Sequence, residues 1–467
     1  MPVVEVLRKF ARFVGPGIII SVAYMDPGNY STSVSGGAQF RYELLFVIFV
    51  SNIFALILQS LCVKLGTITG LDLAENCRRH LPHRLNLVVF FFSELAIIAT
   101  DLAEVVGTAI SLQILFGIPL LWGVALTILD VLIILIFYKP EEQTMKQVRF
   151  FELFVTTLVS ATVICFILEL CKITVPRKIE LFQGFFPTKL IFKDQQAMYI
   201  SLGILGATVM PHSLFLGSSV VKPRLHEYDV KRQGKCSVQP SLAAIEYSLN
   251  YSYAELIISL FIIATFVNSA ILIVAAATLY GQPDAADADL TSIYNLLSYY
   301  ISPAAGLIFA LAMLFSGQSA GVVCTMAGQI VSQGFIQWTC KPWITRLFTR
   351  LIAILPCFVM AAFLGEKGIS SILNFSQVVL SLILPVVSAP LIYFTSNSNI
   401  MSVSTTGHES GIDEATETTS LTRDPVTKVN YANGRVLTVS SILVWFTISG
   451  LNLYLVISYL MGADVHF

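Results

Sequence analysis

Eleven long apolar stretches punctuate the chain, at about 14–40, 43–68, 87–116, 119–138, 151–170, 198–221, 252–279, 303–331, 345–364, 369–395 and 436–460, with shorter polar connections between them. Numbered here as spans 1 to 11, they approach or exceed the roughly 20 residues that a helix needs to cross a hydrocarbon core. A span in lipid must bond its backbone internally, and at these lengths helices do so rather than barrel strands. The pattern predicts a polytopic all-α membrane protein. Two spans break the apolar rule at their centres. Span 1 carries "DPGN" at residues 26–29, and span 6 carries "MPH" at 210–212.

Proline removes an amide donor and collides with the preceding turn, so both spans are expected to be broken helices with freed carbonyls near the bilayer midplane. Read blandly, DPGN is an ordinary turn, since all four residues are turn formers, but it would leave two pieces of about 11 residues, each too short to cross. MPH read alone is a proline kink with a buried, satisfied histidine. Taken together, breaks in spans 1 and 6 lie five helices apart, as in the paired discontinuous helices of inverted-repeat transporters.

Composition agrees with the membrane class: 55% of the 467 residues are hydrophobic and 12% are charged, about half the charged share of a soluble protein. No cleavable signal peptide is expected, because DPGN interrupts the first apolar segment and no small-residue cleavage site follows a short core. The 28 basic and 29 acidic residues argue neither for nor against nucleic acid, and none is expected as a partner. The eight scattered cysteines form no CxxC pair and read as reduced packing residues. With the N-terminus in the cytosol, the cytosolic segments hold 21 Lys and Arg against 7 on the other side, the orientation that the positive-inside rule favours. One non-cytosolic loop dissents, with Lys172, Arg177, Lys178, Lys189 and Lys193.

The expected parts are a cytosolic segment (1–13), a first five-helix repeat (14–170), a non-cytosolic loop (171–197), a second repeat (198–395), a loop (396–435), an eleventh helix (436–460) and a tail (461–467). Residues 396–435 are polar and poor in large apolar side chains, so a flexible cytosolic loop is expected, open to sorting factors.

The breaks bring a ligand set to the midplane. Asp26 offers a carboxylate, Asn29 an amide oxygen, Ala207 a freed carbonyl and Met210 a thioether. The oxygens suit any divalent cation, whereas a thioether favours softer transition metals over Mg²⁺ and Ca²⁺. Met210 taken alone reads as gap-filling packing.

Four motifs, "DPGN" in span 1, "ELAIIATDLAEVVGTAISL" in span 3, "GATVMPH" in span 6 and "SGQSAGVVCTMAGQIV" in span 8, resemble those of the natural resistance-associated macrophage protein (NRAMP) transporters, proton-coupled carriers of divalent transition metals. The resemblance runs from about residue 13 to 460. Within the family, the short termini and "MPHSLFLGS" are similar to the fungal Smf-type members, especially the vacuolar iron-exporting branch. The resemblance implies a leucine-transporter-like fold, two inverted five-helix repeats plus an eleventh transmembrane helix. It implies Asp26, Asn29, the Ala207 carbonyl and Met210 as ligands of transported Fe²⁺ or Mn²⁺, with no resident cofactor, and a vacuolar or other endomembrane setting, the plasma membrane being the alternative.

Protons need titratable groups. Glu94, Asp101 and Glu104 in span 3, seven and three residues apart, share one helical face, and intramembrane carboxylates are functional candidates by default; the bland reading is a structural ion pair. The resemblance favours Asp101 as proton carrier, Glu104 assisting, with His212, Arg224 and Arg350 as partners. For Arg350 the neighbouring Arg346 competes, and Asp130 in span 4 could join the network or be satisfied locally. Span 10 departs from the family pattern at Ile383 and Val386, while Gln377 survives as an extra ligand or gate. No HExxH occurs, and GxSxG is matched only as GQSAG at 317–321, inside an apolar span and not at a strand-to-helix turn, which speaks against a membrane enzyme. The competing function is transport of organic amines or amino acids on the same fold.

Overall fold

The computed structural model describes residues 15–137, 145–173, 178–233, 239–281, 290–336, 342–363, 365–405 and 427–461. The 1–13 segment, residues 406–426 of the polar loop, Arg177 and the tail from 462 lie outside the described residues, as do the side chains of Asp130 and Arg346. Among the described residues, eight helices are long and apolar enough to cross a membrane, and two shorter apolar helices, Leu120–Leu129 and Leu347–Phe363, match spans 4 and 9. Span 1 is divided into helices Pro16–Val22 and Pro27–Phe40. These account for all eleven apolar stretches of a multi-pass membrane protein.

Span 3 (His83–Phe116) runs through the middle of the bundle, packed on span 8 (Pro303–Ile336), span 10 (Gly365–Ser396), span 4 and span 9. From Ala99 to Ser111 its residues are buried on every side, which is why the period of its apolar residues carries little information there and its polar residues carry much. The two halves of span 6, Gln195–Thr208 and Pro211–Ser219, are buried throughout and lie against spans 10, 1, 2 and 8. Span 7 starts at Leu242, ten residues before its apolar run, and passes through a π-helical segment, Ile258–Ala264, before continuing to Thr278. Such bulges displace the helix face that follows them.

One expectation needs correcting. The ends of the 396–435 loop are not structureless: Ser402–Thr405 pairs antiparallel with Thr427–Asn430. Val403 is buried, Tyr431 N–H donates to the Met401 carbonyl (2.8 Å), and Asn433 accepts from Lys64 Nζ (2.9 Å) and donates to Thr395 Oγ1 (2.9 Å). The segment has too few apolar residues for a core of its own, but it borrows the foot of spans 2 and 10. The 171–197 loop likewise contains two short helices, Lys178–Gln183 and Leu190–Lys193.

Span 11 (Arg435–Leu460) is held to span 10 by polar contacts inside an otherwise apolar seam. Asn452 Nδ2 donates to the Ser381 carbonyl (2.7 Å), Ser381 Oγ donates to Asn452 Oδ1 (2.9 Å), and Trp445 Nε1 donates to the Pro385 carbonyl (2.9 Å). Ile383, one of the altered span 10 positions, is buried in the core, and Val386 is half-buried. Interhelical hydrogen bonds in membranes contribute roughly 0.6 to 1.7 kcal/mol, so Asn452→Ala is expected to destabilise the protein by about 1 kcal/mol, read as a lower midpoint in denaturant titration of the detergent-solubilised protein. An unchanged midpoint would show that packing alone docks span 11.

Candidate metal site

The site follows from two missing amide hydrogens. An α-helix pairs the carbonyl of residue i with the amide of i+4, so Pro211 leaves the Ala207 carbonyl without its helical donor and Pro27 does the same for Ala23. In span 1 the chain turns out of the helix at Ala23–Met25, where the last amides fall back on i−3 carbonyls: Ala23 to Ile20 (3.2 Å), Tyr24 to Ser21 (3.0 Å) and Met25 to Val22 (3.0 Å). Asp26 then caps the second half-helix: its Oδ1 accepts from Asn29 N–H (3.0 Å) and from Asn29 Nδ2 (2.8 Å). Asp and Asn are the residues best suited to such caps.

Asn29 joins the two breaks. Its Nδ2 donates to Asp26 Oδ1 and also to the freed Ala207 carbonyl (2.8 Å), so both amide hydrogens are used and Oδ1 is left toward Thr208 Oγ1 (3.4 Å). Met210, in extended conformation, begins the second half of span 6. Asp26, Asn29, Ala207, Met210 and Gln377 are all at most 1% exposed; the site is closed to solvent on both faces.

Two buried oxygens here have no hydrogen-bond partner, Asp26 Oδ2 and Gln377 Oε1. Gln377 reaches the breaks because glycines make room for it. A Cβ on Gly28 would strike the Gln377 amide, and one on Gly206 would strike the Gln377 backbone carbonyl. An unpartnered carboxylate oxygen inside a protein carries a desolvation penalty of several kcal/mol, which a bound cation removes. The donors present, one carboxylate, neutral oxygens and a thioether, fit a divalent transition metal.

Two further carbonyls at the break in span 1 are taken by side chains that sequence reasoning missed. Asn268 Nδ2, just past the π segment of span 7, donates to the Tyr24 carbonyl (2.9 Å), and Ser316 Oγ of span 8 donates to that of Met25. On the other side of the break, Gln59 Nε2 of span 2 donates to Tyr24 Oη (2.9 Å) and to Ser213 Oγ (2.9 Å), tying three spans together.

A second polar centre is built on span 3. Arg350 Nη1 contacts Asp101 Oδ1 (3.1 Å) and Glu104 Oε2 (3.0 Å), all three residues being buried, so the ion pair and the functional carboxylates of the sequence reading are the same groups. Cys324 Sγ lies with these carboxylates, the ligand atoms of the three falling within 4.8 Å of one another. His212 Nδ1 is 3.2 Å from Thr100 Oγ1, beside Asp101, and so connects this centre to the break in span 6. Glu94 is half-buried two turns earlier in the same helix. Arg224 is not in this centre: it pairs with Glu152 of span 5 (3.2 Å). Glu152 and Glu255 were missed although acids within apolar spans are the same signal that singled out span 3.

A bundle with two proline-broken helices crossing at a closed polar centre defines the class, a membrane transporter of the leucine-transporter-like fold. The transporter Mhp1, of the nucleobase-cation-symport-1 family, shares that fold at 12% identity with a TM-score of 0.53, covering 82% of this chain and 78% of its own. Residues 17–409 match the family described as natural resistance-associated macrophage protein-like, and the chain belongs to it. It is 67% identical to the iron transporter SMF3 of Saccharomyces cerevisiae over 99% of both chains. A solved variant of the manganese transporter of Eremococcus coleocola is similar at 30% identity with a TM-score of 0.77, covering 97% of this chain and 88% of that one.

Removing the one formal charge at the breaks has a defined consequence. Asp26→Ala is expected to abolish Mn²⁺ binding to the purified protein, and Asn29→Ala to weaken it by less, in isothermal titration calorimetry. Parental affinity in Asp26→Ala would place the ion elsewhere.

Proposed function

We propose that this protein is a secondary transporter that couples proton movement to import of Fe²⁺ or Mn²⁺ into the cytosol, through the site between the broken spans 1 and 6. The observation that carries the reading is the convergence of Asp26, Asn29 and the Ala207 carbonyl on one closed centre beside an unpartnered carboxylate oxygen. The iron and manganese transporters to which the chain is similar supply the choice of metal. Asp26 contributes the charge, Asn29 and Ala207 neutral oxygens, Met210 the soft donor, and Gln377 an oxygen from span 10 that closes the site. The repeats are assigned to residues 14–170 and 198–395, with a cytosolic N-terminus and a vacuolar or other endomembrane location; the basic residues of the cytosolic connections support the orientation.

The proton side rests on charge count. Asp101 and Glu104 share one guanidinium, and two buried negative charges against one positive are relieved by a proton on either carboxyl. Asp101 loads and releases it, Glu104 and Arg350 adjust the cost, and His212 links the change to span 6. Asp101→Asn is therefore expected to uncouple the fluxes: metal uptake by proteoliposomes persists in part while metal-stimulated acidification, followed with a pH dye, is lost. Unchanged acidification removes Asp101 from the proton route.

Organic amine or amino-acid transport is the alternative on this fold, and Met210 separates the two, because a buried thioether at the break has no use to an ammonium group. With Met210→Ala the site keeps its oxygens and loses its preference against hard ions. If the thioether contributes about 1.4 kcal/mol to that preference, Ca²⁺ should compete with labelled Mn²⁺ roughly tenfold better than in the parental protein. An unchanged Ca²⁺ inhibition constant would reduce Met210 to packing.

A further inference from the structure

The first half-helix of span 1, Pro16–Val22, is the segment that separates the closed site from the face on which Gly15 lies, the cytosolic face in the function proposed above, on which this inference rests. It is short and supplies no side chain to its own amino end; Gly15 occupies the cap position. Its anchorage comes from other spans. Gly15 N–H donates to Glu255 Oε1 of span 7, and Gly17 packs so closely that a Cβ there would be 2.9 Å from both Glu255 Cγ and Ser259 Oγ. The carboxylate of Glu152, from span 5, fills the space next to the Gly15 Cα. Glu152 is itself paired with Arg224, which follows the second half of span 6 (3.2 Å).

Spans 5, 6 and 7 thus meet at the foot of one half-helix. Glu255 is 3% and Glu152 is 6% exposed, so these are interior groups and not a solvated surface pair. Hydrogen bonds to charged acceptors are about twice as strong as neutral ones, and the Gly15 contact exists only while the half-helix is docked. At the far end, Tyr24 holds the same segment to Gln59 and Asn268. The half-helix is therefore clamped at both ends, while six of its seven residues are buried between them. A path from Asp26 to the Gly15 face requires it to leave the clamp.

We propose that Glu255 is a positioning residue for ion release: its carboxylate, held beside the Glu152–Arg224 pair, latches the half-helix Pro16–Val22 closed over the metal site and lets go in the release step. Glu255 does not touch the ion. Its loss changes which face the site opens to and leaves the ligand set intact.

The test uses an Ala23→Cys reporter at the break, buried here, in the full-length protein with Cys165, Cys171, Cys236 and Cys340 replaced by serine, which leaves the four buried native cysteines. Labelling by a membrane-impermeant maleimide is measured in proteoliposomes sorted by orientation, and Mn²⁺ affinity is measured on the same proteins in detergent. With Glu255→Ala, labelling from the Gly15 face is expected to rise roughly tenfold, the scale of one charge-assisted hydrogen bond lost, with Mn²⁺ affinity within about twofold of the parent. Glu255→Gln, which keeps an acceptor of the same shape without the charge, should fall between the two, and its monodisperse elution guards against misfolding. Equal labelling in all three proteins overturns the latch, as does a rise in labelling from the opposite face. A parental protein that binds no Mn²⁺ overturns the proposed function instead, while the order of the three labelling rates still decides the latch.

Discussion

Everything at the centre of this protein depends on two amide hydrogens that prolines cannot supply. Pro211 releases the carbonyl of Ala207, and Asn29 captures it while its other amide hydrogen holds Asp26 Oδ1. In lipid a free carbonyl without a polar neighbour is not tolerated, so the broken helices each require the other. The hydrogen bond between Asn29 and Ala207 stabilises the junction of spans 1 and 6 and, in the same geometry, gathers the donors of the proposed metal site. Two half-helices joined in this way can also tilt about the junction without breaking continuous backbone ladders, which a transporter of alternating access needs.

The surrounding bundle supports that junction by close approach and by borrowed donors. Gly28 leaves room for the Gln377 side chain, and at Gly206 a larger residue would collide with the Gln377 backbone. Asn268 and Ser316 satisfy the carbonyls of Tyr24 and Met25, so the turn between the half-helices is fixed from spans 7 and 8. The charged groups are arranged in two separate centres along the same bundle, Asp101–Glu104–Arg350 beside span 3 and Glu152–Arg224 with Glu255 at the foot of span 1. Each places a surplus of carboxylate in the interior.

How much of this was legible in the sequence depends on whether a feature is local. The breaks were legible, because proline at a helix centre acts on residues four positions away whatever surrounds it. The meeting of Asp26, Asn29 and the Ala207 carbonyl followed from the breaks, and the carboxylates of span 3 from their rarity in apolar segments. Partners across the bundle were not legible in the same way. Arg224 and Arg350 look alike in sequence, each near the end of a span with a second basic residue close by, yet Arg350 meets Asp101 whereas Arg224 is turned toward Glu152 by the course of the second half of span 6. Asn268 owes its position to a π segment that no periodicity announces. The strand pair at Ser402–Thr405 was hidden because its stability comes from Lys64, Thr395 and Met401 and not from its own composition.

The central claim is that the orphaned Asp26 oxygen between the two breaks is where the transported ion sits. Anomalous diffraction at the manganese edge, from crystals of the parental protein grown with Mn²⁺, tests it without relying on transport. The account predicts a single strong peak between Asp26 and Met210, absent from Asp26→Ala crystals. A peak instead among Asp101, Glu104 and Cys324, a group of donors among the described residues also able to hold a metal, would contradict it.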